Sequence, residues 1–191
     1  MNNLHRIFIS INLPEKLKNE LGSLRERWPE LPARWAKTEN LHITLIFLGS
    51  ANDQEVCEIC KTVAQVAKRH DPFDLNLNRI LYGPEGKRPR MVWVEGERSE
   101  ELGQLQRDLE NTLYEFAGAD SKGGENCGFA AHITLARLFQ AGFRQMEVEE
   151  IPVIDEKINR VFLVESIEIV ESEMKRGGPK YTVLESARLG E

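Results

Sequence analysis

The chain has 191 residues, 41% of them hydrophobic, with 25 Lys and Arg against 31 Asp and Glu. That length fits one domain or two intimately packed lobes with a substantial core, and no apolar run approaches the roughly 20 residues that cross a bilayer. The formal charge of -6 argues against a general nucleic-acid coat, whose affinity comes from neutralising many phosphates, while leaving room for a local basic cleft.

The first residues, MNNLHRIFISINLP, lack the charged, apolar and small-residue succession of a secretory leader, so a cytoplasmic protein is expected. Residues 5 to 12 alternate, with Ile7, Ile9 and Ile11 on one face, as a half-buried strand does. Pro14 opens a helix whose apolar stripe is Leu17, Leu21, Leu24 and Trp28. After Pro32, RWAK reads as a short strand, and LHITLIFLG as a strand closed by Gly49. Asp53 is a candidate cap for a helix carrying Val56, Ile59, Cys60 and Val63. FDLNLNRILYG and PRMVWVEG are predicted strands joined by the hairpin loop PEGKRP. Ser99 caps a third helix with Leu102, Leu105, Leu109, Leu113 and Phe116 on its buried side. The glycine-containing stretch 118–128 leads to the strand FAAHITLARL, then a long polar loop over 138–150. Finally INRVFLVESIEIVES is read as one strand, and PKYTVLESARL as another across the turn MKRGG.

Strands outnumber helices and several are joined by hairpins, so the predicted class is α+β with mainly antiparallel sheet. Residues 1–191 are expected to form a single domain of two pseudo-symmetric lobes around a central cleft. Two lysine and arginine clusters, Lys87, Arg88 and Arg90, and Lys175, Arg176 and Lys180, are read as solvated loop charge. Cys57 and Cys60 lie at helical spacing with no second metal-ligand pair, and Cys127 stands alone. No metal site or redox centre is expected from them.

The tetrapeptide His-Ile-Thr-Leu occurs twice, at 42–45 and 132–135, and uses two of the four histidines. In a strand, residues two apart share a face. His42 and Thr44 therefore point the same way at about 6.6 Å spacing, as do His132 and Thr134, while Ile43, Leu45, Ile133 and Leu135 point to the core. Two imidazoles meeting across a cleft suit a reaction that needs a base and an acid in one turnover. Threonine hydroxyls beside them can donate to phosphate oxygens.

Two such motifs half a chain apart resemble those of the 2H phosphoesterase superfamily. RIFISINLP, NLHITLIFLG, MVWV, FAAHITLAR and ESEMKRGGPKYTVL narrow the resemblance to the bacterial and archaeal RNA 2′,3′-cyclic phosphodiesterases, once called 2′-5′ RNA ligases. The resemblance implies an enzyme, a bilobal α+β fold, no metal or cofactor, and a substrate that is RNA with a 2′,3′-cyclic phosphate end, tRNA-derived ends included. It makes His42 the proton donor and His132 the proton acceptor, with Thr44 and Thr134 on the phosphate oxygens. A monomer away from membranes is expected.

Two departures from the family pattern stand beside the motifs. Ile46 replaces a common basic residue and, by strict alternation, shares a face with His42. Ala131 replaces a common proline. Arg137, Tyr181 and Phe8 are candidate substrate-binding residues: the arginine for phosphate, provided a bulge turns it onto the face of His132, and the aromatics for stacking on a terminal base. The rival readings are an RNA-end-binding module, a 2′-5′ RNA end joiner, and another 2H cyclic nucleotide phosphodiesterase.

Overall fold

In the computed structural model, which describes residues 4–84, 86, 88–116 and 129–191, the strands form two antiparallel sheets. The first has the order β3-β1-β8-β9 and the second β2-β6-β5-β4-β7. The strands are β1 (His5–Asn12), β2 (Ala33–Trp35), β3 (His42–Ala51), β4 (Phe73–Gly83), β5 (Met91–Gly96), β6 (His132–Leu138), β7 (Asp155–Val164), β8 (Ser166–Lys175) and β9 (Gly178–Arg188). Both sheets share a plan. One motif strand, β3 or β6, lies beside β1 or β5, followed outward by two more strands, with the three-residue β2 added beyond β6. The α+β, mainly antiparallel class predicted from sequence is what the chain adopts.

Ile7, Ile9 and Ile11 of β1, Ile43 and Leu45 of β3, and Ile133 and Leu135 of β6 all enter one continuous apolar core. The helices are α1 (Glu15–Ser23), α2 (Asp53–Ala67), α3 (Glu100–Thr112) and α4 (Gln140–Gln145). Ile59, Val63, Val66 and Ala67 bury one side of α2, and Leu102, Leu105 and Leu109 one side of α3. Ser99 caps α3, its Oγ accepting from the Leu102 N–H at 3.1 Å. The cap of α2 is one residue earlier than predicted. Asn52 accepts from the N–H groups of Gln54 and Glu55 while Glu55 returns a bond to the Asn52 N–H, a reciprocal capping box that Asp53 cannot make from the first helical position.

Two further expectations are corrected. The predicted long loop contains α4, which buries Phe143 in the core against Tyr82 at 5.7 Å; six residues are too few for a periodic signal to show. The run INRVFLVESIEIVES is two strands, broken at Glu165. β7 pairs with β4 in one sheet and β8 with β1 in the other, so the chain changes sheets inside an apolar stretch that carries no Gly or Pro. The stretch 118–128, with Cys127, lies outside the described residues. Among the described residues no helix is long and apolar enough to cross a membrane.

Candidate active site

β3 and β6 lie against one another where the two sheets meet, which brings the repeated motifs together. On β3, the His42 Nδ1 is 2.7 Å from the Asn40 carbonyl oxygen. A carbonyl only accepts, so Nδ1 carries the proton and the neutral ring offers Nε2 as its lone pair. Nε2 lies 3.0 Å from Thr44 Oγ1, whose hydroxyl donates to it. On β6, His132 likewise donates a ring N–H to a carbonyl two residues upstream, that of Ala130. The Asn40 carbonyl thus fixes the His42 ring in one tautomer.

Aromatic neighbours fix their positions. Phe8 and Tyr181 lie 5.0 Å and 5.3 Å from the His42 ring, and Trp93 4.7 Å from the His132 ring. Gly83 makes room for Trp93, since a Cβ there would fall 2.3 Å from the indole. Among the described residues the buried Trp93 indole N–H has no partner, and the ring packs on His132.

Electrostatics couples the two halves. Burial pushes both histidines below their ordinary value of 6.5. For His42, the backbone bond to Asn40 opposes this and the charges of Lys18 and His132 add to it. For His132, the Ala130 carbonyl and Glu95 oppose burial while Arg137 reinforces it. A charge on His132 therefore disfavours protonation of His42, so a state with one ring protonated and one neutral is favoured over two cations. Lys18 is buried, with its Nζ 3.2 Å from the Glu39 carbonyl, beside the Asn40 carbonyl that holds His42.

The strands depart from strict alternation at matching places. Relative to β1, β3 carries an extra residue at Leu45, and relative to β5, β6 carries one at Leu135. Each bulge shifts the later side chains by one face. Arg137 therefore joins His132 and Thr134 on one face, where both its guanidinium and the Thr134 hydroxyl point at Met91 Sδ, at 3.8 and 3.9 Å. Its charge also acts on Tyr181 of the other sheet.

On β3 the same bulge corrects the expectation for Ile46. It is only 4% exposed and lies in the core, while Phe47, unforeseen from sequence, emerges at 61% exposure in the position that matches Arg137. The side-by-side apolar pairs Leu45-Ile46 and Leu135-Ala136, which break alternation, were the signal available. Phe8 is a second correction. At 3% exposure, packed on His42, Phe47 and Tyr181, it has no free face for a base. Tyr181 is half-buried, and burial raises its hydroxyl above the ordinary tyrosine value, so it stays protonated and able to donate.

Cys57 is exposed on α2, and burial, with Glu185 beside it, pushes the Cys60 thiol up to about 11, which removes thiolate reactivity there.

The family model for LigT-like phosphoesterases matches residues 11–93, a span that includes the first motif. Across the whole fold, a crystal structure of a Thermus thermophilus protein superposes with a TM-score of 0.80 at 28% identity, covering 97% of this chain and 98% of that one. The chain is thus similar to LigT-like phosphoesterases, in sequence over the first motif and in fold over nearly its whole length. The RNA 2′,3′-cyclic phosphodiesterase of Thermus thermophilus is 29% identical over 96% of this chain and 90% of its own length. That of Aquifex aeolicus is 25% identical over 95% and 92%. Escherichia coli LigT, in a crystal structure with 3′-AMP, superposes with a TM-score of 0.73 at 25% identity, covering 99% of this chain and all of that one.

Proposed function

We propose that this protein is an RNA 2′,3′-cyclic phosphodiesterase that opens the terminal cyclic phosphate to a 2′-phosphomonoester, with His42 as acid and His132 as base. The observation that carries the reading is the matched pair of imidazoles. Each has a backbone carbonyl two residues before it and a threonine two residues after it on the same face, their strands lie against one another, and the charge of His132 reaches the His42 ring. The names of the relatives supply the substrate class.

With the cyclic phosphate between the rings, the neutral His132 takes a proton from water as the water oxygen bonds to phosphorus. The bond from phosphorus to the 3′ oxygen breaks, and His42, protonated at Nε2, gives that oxygen its proton. The product carries a 2′-phosphate and a 3′ hydroxyl, and the two histidines end with protonation states exchanged. Giving the acid role to His42 follows the family's motif order, because the geometry holds both rings alike. Thr44 and Thr134 are placed to donate to the non-bridging oxygens as charge grows on them. Arg137 and the Tyr181 hydroxyl add a charge and a donor. The reading treats residues 1–191 as one bilobal domain acting as a monomer in the cytoplasm.

The test is product identity. With chelator present, RNA bearing the cyclic end should yield the 2′-phosphate, and His42→Ala and His132→Ala should each lose about 10²- to 10⁴-fold in rate. Exclusive 3′-phosphate, or full activity in both variants, would overturn the proposal. A 2′-5′ linked product at physiological RNA concentration would mark an end joiner instead.

A further inference from the structure

The bulge that turns Arg137 onto the face of His132 also sets it beside a second arginine. β2 pairs with β6 so that Arg34 lies directly opposite Arg137, which places their Cβ atoms about 5 Å apart on one face of the sheet. Both side chains are exposed, and among the described residues neither has a carboxylate partner. Like charges facing one another across a ladder oppose folding. In a chain with six more acidic than basic side chains, two adjacent guanidiniums without an acidic partner form an unneutralised spot beside the site.

Its place along the strand gives it a meaning. His132, Thr134 and Arg137 succeed one another on the same face of β6, opposite Glu95, Trp93 and Met91 of β5. The arginine pair therefore sits two strand steps, about 7 Å, beyond Thr134. An anion held there lies next along a nucleotide chain whose terminal phosphate is held between the imidazoles. Two planar, permanently charged forks suit the oxygen pairs of a phosphodiester or phosphomonoester.

We propose that Arg34, with Arg137, binds a second phosphate, the one on the 5′ oxygen of the terminal nucleotide, so that the enzyme prefers ends carrying that phosphate over a bare nucleoside cyclic phosphate. The inference rests on the catalytic reading above and adds to it a residue and a substrate preference.

Three substrates separate the sources of any preference: adenosine 2′,3′-cyclic phosphate, the same compound with a 5′-phosphate, and the dinucleotide ending in it. The wild-type protein should favour the latter two, with the difference mainly in KM and shrinking as salt rises. Arg34→Gln should reduce kcat/KM for those two about tenfold more than for the bare nucleoside. An equal loss on all three substrates, no loss on any, or a preference confined to the dinucleotide would overturn the second-phosphate site.

Should the wild-type protein turn over none of them, the catalytic reading has failed, and binding decides the inference by itself. Calorimetric affinity for adenosine 2′,5′-bisphosphate should fall about tenfold more in Arg34→Gln than affinity for adenosine 2′-phosphate. A parallel fall, or none, would refute it.

Discussion

Phe47 and Arg137 occupy matching positions in the two motif strands, one an exposed aromatic, the other an exposed cation. The paired histidines each have a backbone acceptor two residues upstream, and this difference is one that distinguishes the two ends of the site. A base can stack on the Phe47 ring, which is braced from behind by Phe8 at 5.9 Å. Base-aromatic stacking contributes about 1 to 3 kcal/mol, so Phe47→Ala should raise KM for nucleotide substrates about tenfold or more with a smaller change in kcat. Steady-state kinetics checks this, and a loss confined to kcat would contradict it.

The depressed histidines make a second residue-scale prediction. The proposed catalysis needs one ring protonated and the other neutral, and both free-enzyme values lie below 6.5. The kcat/KM profile, which reports the free enzyme, is therefore expected to be bell-shaped with its maximum on the acid side of 6.5. A bound phosphate anion favours both imidazoliums, so the kcat profile should sit at higher pH. Profiles that coincide, or that stay flat through neutrality, would contradict the paired-histidine chemistry.

The motif histidines were legible in the sequence because a scarce residue recurred in identical strand contexts. Phe47 and the fate of Ile46 were not, because strict alternation assigns faces one residue at a time and a single bulge reverses every assignment beyond it.

Among the elements, β1 is tied at its start by His5, whose Nδ1 lies 2.6 Å from Glu171 of β8 and whose Nε2 lies 2.8 Å from Asp53 at the start of α2. These two carboxylates raise the His5 pKa above 6.5, against a smaller opposing effect of burial. The folded state therefore binds this proton more tightly than the unfolded chain does. The stabilisation is fully present below 6.5 and is lost as pH rises through the raised folded value. His42 and His132 act with the opposite sign, because their depressed values cost stability as pH falls below 6.5. Thermal unfolding of wild type and His5→Asn isolates the first effect. The difference in Tm should be largest below pH 6.5 and shrink above it; a difference constant from pH 5.5 to 9 would contradict the clip.

Element existence was legible where the apolar period was long, as in α2, α3 and β4. It failed at α4, whose one buried anchor, Phe143, makes no pattern. It failed also at Glu165, where a change of sheet leaves no local mark because β7 and β8 have similar strand-forming composition.

At the scale of the molecule, the two sheets are not two successive halves of the chain. The sheet built on β1 and β3 is completed by β8 and β9 from the far end of the sequence, while β4 to β7 form most of the other. This interleaving, together with one shared apolar core, anchors both motif strands on a common body, so the distance between the imidazoles is set by packing rather than by a linker. Nothing in local periodicity announces it; only the motif spacing hinted that separate parts of the chain meet.

The most direct test of that convergence is an NMR titration of the ring nitrogens of His42 and His132, free and with a bound 2′-phosphorylated nucleotide. Both histidines are expected to titrate below 6.5 in the free protein, and both to rise when the single phosphate binds. A response from only one ring, or from neither, would show that the two imidazoles do not share one phosphorus atom.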